Sequence, residues 1–111
     1  MVVSKVGKNE ILSLISPHIT SDKMGDDSTP PTAGNTDLIS EIVGSEKTPT
    51  VIVSDKQVTT SSEWNAADNN GETFRESAIY VNGVLLDRVV FPDFIKTANN
   101  FLTKRQSMRF K

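Results

Sequence analysis

The sequence predicts a mainly β protein, a small antiparallel β-sandwich with one or two short helices near its N-terminus. β-branched runs follow Pro49, and an Asn82-Gly83 step separates two apolar runs. The chain also holds 12 serines and 11 threonines, which favour strands and turns over helix interiors. Because 111 residues allow one core, we expect an N-terminal arm with a short helix over residues 1–19 and a single β-rich domain over residues 20–111.

The first predicted element is a short helix over residues 10–16. Asn9 is its candidate N-cap, and Pro17 stops it. A helix of about two turns is stable only when it docks onto another surface. Its apolar positions Ile11, Leu14 and Ile15 are therefore candidate contact residues.

The next segment combines a predicted loop with a second predicted helix. Gly, Pro, Asp and Ser punctuate residues 20–35, which indicates a surface loop. Leu38, Ile39 and Ile42 then recur at helical spacing, with an N-cap candidate at residue 35 or 36 and Gly44 at the end. This pattern predicts a helix of one to two turns over residues 36–44.

The rest of the chain predicts strands. Residues 50–54 and 58–60 are β-branched and lead to Trp64, and the Asn-Gly step at residues 70–71 indicates a polar turn. Residues 74–81 and 84–91 form the predicted hairpin, which Pro92 ends. In the final predicted strand, residues 101–110, Leu102, Met108 and Phe110 share one face.

A two-residue turn fixes the predicted register of the hairpin. Its pairs are Val81 with Val84, Tyr80 with Leu85, Ile79 with Leu86, Ala78 with Asp87, Glu76 with Val89 and Phe74 with Phe91. In this register both faces carry apolar groups, so we expect both to be covered. The cover is either the chain's own helices and loops or another subunit, and we favour another subunit for part of it. A sandwich packed by its own two sheets is the alternative.

Composition excludes several classes of function. The chain has no cysteine, which excludes disulfide frameworks, thiolate metal sites and cysteine nucleophiles. A net charge of −2 provides no overall field for nucleic acid or an anionic membrane. The start of the chain lacks a signal-peptide pattern, and no apolar run is long enough to span a bilayer.

The candidate catalytic and metal-binding groups are weak. His18 is the one histidine, and the sequence lacks the Gly-x-Ser-x-Gly motif that would carry the nucleophilic serine of a Ser-His-Asp catalytic site. The aspartates of residues 22–27 and the acidic cluster at residues 68–72 lack calcium-loop spacing. Glu72 and Glu76 on one strand would lie about 13 Å apart, too far for paired glycosidase carboxylates. We expect neither an enzyme nor a cofactor.

Charge is divided unevenly along the chain. Residues 22–76 hold 11 acids and 4 bases, whereas residues 77–111 hold 6 bases and 2 acids. A head-to-tail contact between copies would pair the acidic flank with the basic tail, although a solvated surface explains the same numbers. The basic C-terminal segment also contains Phe101 and Phe110. It is more typical of an edge strand whose charges prevent aggregation than of a surface that binds nucleic acid.

Several short motifs follow one another in a fixed order along residues 20–111. They are Asn35-Thr36-Asp37-Leu38-Ile39-Ser40-Glu41, Glu76-Ser77-Ala78-Ile79-Tyr80, Asn82-Gly83, the aliphatic strand with Arg88, Lys96-Thr97, and a last strand that ends in an aromatic residue. This order resembles the small structural domains of tailed bacteriophages that occur in tail-fibre attachment regions, baseplates and necks. The resemblance implies a β-sandwich-like assembly adaptor without catalytic residues.

This resemblance, together with the apolar groups on both faces of the hairpin, implies a non-enzymatic virion structural protein, an adaptor of the tail, baseplate, neck or fibre-attachment region. We expect it to contact other virion proteins and copies of itself, in a virion assembled in the host cytoplasm, without nucleic acid or membrane. A capsid decoration or head-fibre protein is an alternative in the same class. A different class is a carbohydrate- or ligand-binding sandwich in which Trp64 and Tyr80 stack on a sugar ring. The candidate interface residues are Ile11, Leu14, Ile15, Tyr80, Leu85, Phe91, Phe94, Arg105 and Arg109.

Overall fold

The computed structural model describes residues 4–54 and 56–109, which form two three-stranded antiparallel sheets and one α-helix. Helix α1 covers Lys5–Ile15 and runs into a 3-10 turn at Ser16–His18. The strands are β1 Ile19–Gly25, β2 Thr50–Ser54, β3 Gln57–Trp64, β4 Thr73–Val81, β5 Val84–Ile95 and β6 Leu102–Arg109. One sheet has the order β1-β4-β5 and the other β2-β3-β6. The predicted mainly β fold with a short N-terminal helix is confirmed.

The interior between the sheets contains two apolar clusters. One cluster is formed by Leu12, Ile19, Val58 and Ile79, and the other by Met24, Ile42, Trp64 and Phe74. The Trp64 ring meets Phe74 edge-on at 6.2 Å between centroids, and its Nε1 donates to the Ser45 carbonyl at 2.9 Å. Helix α1 therefore closes one end of the sandwich with Leu12, and Trp64 fills the other.

Helix α1 begins earlier than predicted because a different residue caps it. The Ser4 side chain accepts a hydrogen bond from the Gly7 amide at 3.0 Å, as an N-cap does. The expected cap, Asn9, lies inside the helix. Its Oδ1 instead accepts from the Lys56 amide at 2.6 Å, which fastens the helix to the turn between β2 and β3.

Two predictions for residues 20–44 are wrong. The expected surface loop over residues 20–35 is a strand as far as Gly25, because β1 pairs with β4 and buries polar side chains such as Asp22. The expected helix over residues 36–44 is an irregular segment. Its amides at Ile39 and Ser40 donate to the Glu76 carboxylate, so they are not available for a helix.

The hairpin is confirmed, and its register is correct only next to the turn. Asn82 and Gly83 have φ of 49° and 80°, the positive values that a type I′ turn needs. Val81 pairs with Val84 and Tyr80 with Leu85, as predicted. Leu86 is then an extra residue, so the predicted pairs beyond it are wrong. The observed pairs are Ile79 with Asp87, Ala78 with Arg88, Glu76 with Val90 and Phe74 with Phe94.

Pro92 does not end β5, which continues to Ile95. The strand order places β5 at the edge of its sheet, where a residue without an amide proton is tolerated. Pro92 also lies opposite the second register shift, between the pairs of Phe74 and Glu76.

Both faces of β4 are covered, as predicted, but the cover comes from this chain. Ile79 packs between the sheets, whereas Ala78 and Tyr80 pack on the outer side against Leu38. The expectation that another subunit covers part of the hairpin therefore does not apply to β4, and for β5 it stays a prediction. The outer face of the sheet β2-β3-β6 is more open to solvent. In each of its strands, less exposed residues alternate with more exposed ones, the pattern of a sheet with one face packed and the other in contact with water. In β6, Leu102 and Met108 are on the more buried parity as predicted, and Phe110 lies outside the described residues.

Candidate interaction surface

A buried carboxylate fixes residues 26–40 to the outer face of the sheet β1-β4-β5. Glu76 is 0% exposed, and its Oε1 accepts from Arg88 Nε at 2.8 Å and from the Ile39 amide at 2.9 Å. Its Oε2 accepts from the Ser40 amide at 2.8 Å and from the Asp27 amide at 3.2 Å. Each oxygen of this carboxylate therefore receives two donors, which compensates the burial of its charge.

Tyr80 makes a second connection between this segment and the sheet. Its hydroxyl donates a short hydrogen bond to Asp37 Oδ1, and its ring lies 4.9 Å from Lys23 Nζ. Burial and this hydrogen bond raise the pKa of Tyr80, and the same hydrogen bond lowers the pKa of Asp37. The Tyr80–Asp37 pair is thus most stable with the tyrosine protonated and the carboxylate ionised.

A groove of about 600 Å³ lies between β5 and β6. We call it the edge groove, because each of these strands is at the edge of its sheet. Its apolar lining includes Met24, Phe91, Phe94 and Leu102, and its charged residues include Asp93 and Arg105. Asp93 accepts from Arg75 Nε at 3.0 Å.

Two smaller hollows lie on either side of β6. An apolar hollow of about 180 Å³ is lined by Leu12, Ile15, Val58, Leu86, Met108 and Arg109. A hollow of about 310 Å³ on the other sheet face is lined by Thr50, Ile52, Thr59, Ser61 and Arg105. Arg105 is therefore shared between this hollow and the edge groove.

The nine predicted interface residues do not form one patch. Phe91, Phe94 and Arg105 line the edge groove, and Ile15 and Arg109 line the hollow beside α1. Leu85 lies in a separate concavity, not described above, that is also lined by residues of the segment 31–35. Ile11 is half-buried and Leu14 is exposed on α1. Tyr80 is only 4% exposed, so its assignment to an interface is wrong.

The two aromatic residues expected to stack on a sugar ring are unsuited to that role. Trp64 is 0% exposed and Tyr80 is 4% exposed, and each has its polar atom bound within the chain. A stacking platform must present a ring face to the ligand. The specific basis for the carbohydrate-binding alternative is therefore wrong.

The structure also contains polar interactions that sequence analysis missed. On the interior side of the first sheet, Asp22 and Ser77 meet Lys104 of β6, with Asp22 Oδ1 2.6 Å from Lys104 Nζ. Asp87 and Gln106 meet beside them at 2.8 Å. The sequence contained one indication of these contacts. Alternate residues of a strand face the same side, so Lys104 and Gln106 were expected on the same face of β6 as the apolar Leu102.

Within the described residues, no group of three or more histidine, aspartate or glutamate side chains is arranged to hold a metal ion. None of the helices in these residues has the length and apolar character needed to cross a bilayer. No protein-family model, curated protein or solved structure matches the chain. The similarity to tailed-phage domains thus stays a prediction from the motifs.

Proposed function

We propose that this chain is a non-enzymatic structural protein of a bacteriophage virion, an adaptor that works by binding neighbouring subunits. The edge groove carries the proposal. It combines an apolar floor, a volume of about 600 Å³ and two strand edges in one place. Three residues selected from sequence alone, Phe91, Phe94 and Arg105, line it.

The open strand edges favour recognition of another protein chain. A sheet edge presents amide and carbonyl groups that an added strand can pair with. β5 is 12 residues long and β6 is 8, so both offer length for such pairing. The partner residues that enter the groove would be apolar, because Phe91, Phe94 and Leu102 form its floor.

Charge favours an acidic partner surface. The exposed residues of β6 include Arg105 and Arg109. A second copy of this chain offers exposed acidic side chains, among them Asp26, Glu41 and Glu46. We therefore propose that a neighbouring subunit of the same assembly occupies the groove, in a head-to-tail contact.

Sedimentation of the virus particle tests the proposed function directly. We expect the chain to migrate with gradient-purified particles and to remain with them after a wash in moderate salt. A chain found wholly in the soluble fraction would contradict the proposal.

Charge substitutions test the contact surface. Arg105→Glu and Ile95→Glu place acidic groups at exposed positions beside the edge groove, where we expect them to reduce incorporation into particles. Val43 is 88% exposed on the segment that pairs with β1 at the opposite edge, so Val43→Glu is the matched control. Equal incorporation of all three variants would exclude the edge groove as the contact. Light scattering at increasing salt shows whether free copies already associate through these charges.

A further inference from the structure

An aspartate and a lysine touch in the interior of the sandwich, on the first and last strands of the chain. Asp22 of β1 is 0% exposed, and the side chain of Lys104 of β6 is 11% exposed. Asp22 Oδ1 lies 2.6 Å from Lys104 Nζ. The two residues belong to different sheets and are 82 positions apart.

The hydrogen bonds of the carboxylate are incomplete. Oδ1 accepts from Lys104 Nζ and from Ser77 Oγ, whereas Oδ2 is buried with no hydrogen-bond partner. A buried carboxylate oxygen without a donor is costly, and so is a buried ammonium. Glu76 on the neighbouring strand has two donors on each oxygen, so this fold can satisfy a buried carboxylate where it holds one as an anion.

We propose that Asp22 and Lys104 condense spontaneously into an intramolecular isopeptide bond that joins β1 to β6. Nζ of Lys104 bonds to Cγ of Asp22, and the bond between Cγ and Oδ2 breaks. The ammonium gives up two protons, which leave with Oδ2 as one water molecule. Oδ1 remains as the amide carbonyl and keeps its hydrogen bond from Ser77. The reaction consumes no oxidant, reductant or other reactant.

The surroundings favour each requirement of this reaction. Nζ lies 2.6 Å from Oδ1, an atom bonded directly to the carbon that the nitrogen attacks, so the two reacting groups are already held side by side. Desolvation lowers the pKa of Lys104, which increases the share of the uncharged, nucleophilic amine. Ser77 Oγ accepts from Nζ and donates to Oδ1, so it holds the amine against the carboxyl group and binds the oxygen that becomes the amide carbonyl. Lys104 also lines the edge groove, which provides an exit for the water.

The product is better suited to the interior than the reactants are. Condensation replaces two buried charges with one neutral amide and removes the oxygen that lacks a donor. It also closes residues 22–104, about three quarters of the chain, into a loop through the two sheets, and a covalent loop restricts the unfolded chain.

The intact mass of the purified wild-type chain, measured after denaturation, tests the proposal. We expect it to be lower than the sequence mass by one water molecule. Trypsin should then yield a branched peptide that joins the fragment holding Asp22 to the fragment holding Lys104, without cleavage after Lys104. Cleavage after Lys96 should be normal, because this lysine, which is even more deeply buried, binds an amide oxygen and a backbone carbonyl instead of a carboxylate.

Variants identify the reacting groups. Lys104→Arg keeps the positive charge and cannot condense, so it should have its full sequence mass and a lower melting temperature than the wild type. Ser77→Ala should slow the mass loss after refolding.

Folded wild-type protein that keeps its full sequence mass after long incubation at neutral pH would overturn the proposal. A water loss that maps to a succinimide elsewhere would overturn it as well. Both results are independent of the edge groove and of binding to a virion.

Discussion

Replacing Glu76 with glutamine tests whether the buried ion pair holds residues 26–40 in place. Glu76→Gln keeps the size of the side chain and removes its charge. Because each carboxylate oxygen accepts two donors, the new amide group faces two N–H groups in either orientation. Arg88, with 1% of its side chain exposed, also loses its buried counter-charge.

The expected loss is about 3–5 kcal/mol in the free energy of unfolding, the usual cost of breaking one side of a buried pair. A small domain has about 5–15 kcal/mol in total, so the variant should be close to unfolding in water. Lys23 and Glu41 form the matched exposed pair, at 3.1 Å with side chains 25% and 41% exposed. Glu41→Gln should cost no more than about 1 kcal/mol.

Urea unfolding followed by far-UV circular dichroism measures both variants against the wild type. If Glu76→Gln and Glu41→Gln shift the urea midpoint by the same small amount, the buried pair of Glu76 and Arg88 does not hold residues 26–40 in place. Proteolysis provides a second measurement, since release of residues 26–40 should expose them to cleavage in Glu76→Gln before global unfolding.

Three further predictions concern Gly25, Trp64 and the Tyr80–Asp37 pair. A Cβ at Gly25 would overlap the carboxyl group of Glu76, which four hydrogen bonds hold in place. Gly25→Ala should therefore strongly lower the urea concentration at the unfolding midpoint. An unchanged midpoint would argue against this packing. Trp64, the one tryptophan, is fully buried, so its fluorescence should be blue-shifted, resist acrylamide quenching and not change with added sugars. The hydrogen bond from Tyr80 holds the pKa of Asp37 below its ordinary value in the folded protein, so the contribution of this carboxylate to stability is present above that ordinary pKa and is lost as pH falls through the folded pKa. Tyr80→Phe removes the donor and should reduce the loss of stability in acid, as measured by urea unfolding from neutral to acid pH; an unchanged acid dependence would contradict the Tyr80–Asp37 bond.

The strands whose signals are local could be predicted from the sequence. The Asn82-Gly83 turn has the positive φ values that its residues favour, and four of the five residues of β2 are β-branched. The parity of β6 was also correct. By contrast, β1 has buried polar residues whose partners are distant in sequence, as with Asp22 and Lys104, so its sequence has the composition of a loop.

The inserted residue in β5 explains why the candidate site was missed. In the predicted register, Glu76 and Arg88 lie on opposite faces of the hairpin. The extra residue, Leu86, reverses the faces for the rest of β5, which brings Arg88 to Glu76 and turns Asp87 inward to Gln106. The sequence around Leu86 does not show that this residue, and not one of its aliphatic neighbours, is the inserted one, so the shift could not be predicted.

The sequence by itself determined that this protein is mainly β, where its central hairpin turns, and which parity of the last strand is buried. These features depend on backbone preferences and on alternation over a few residues. Only the tertiary structure decided that residues 36–44 are not helical, that Trp64 and Tyr80 are buried, and that Asp22 meets Lys104. The physical reason is that a buried charge selects its partners by distance in space, and they need not be near it in the sequence.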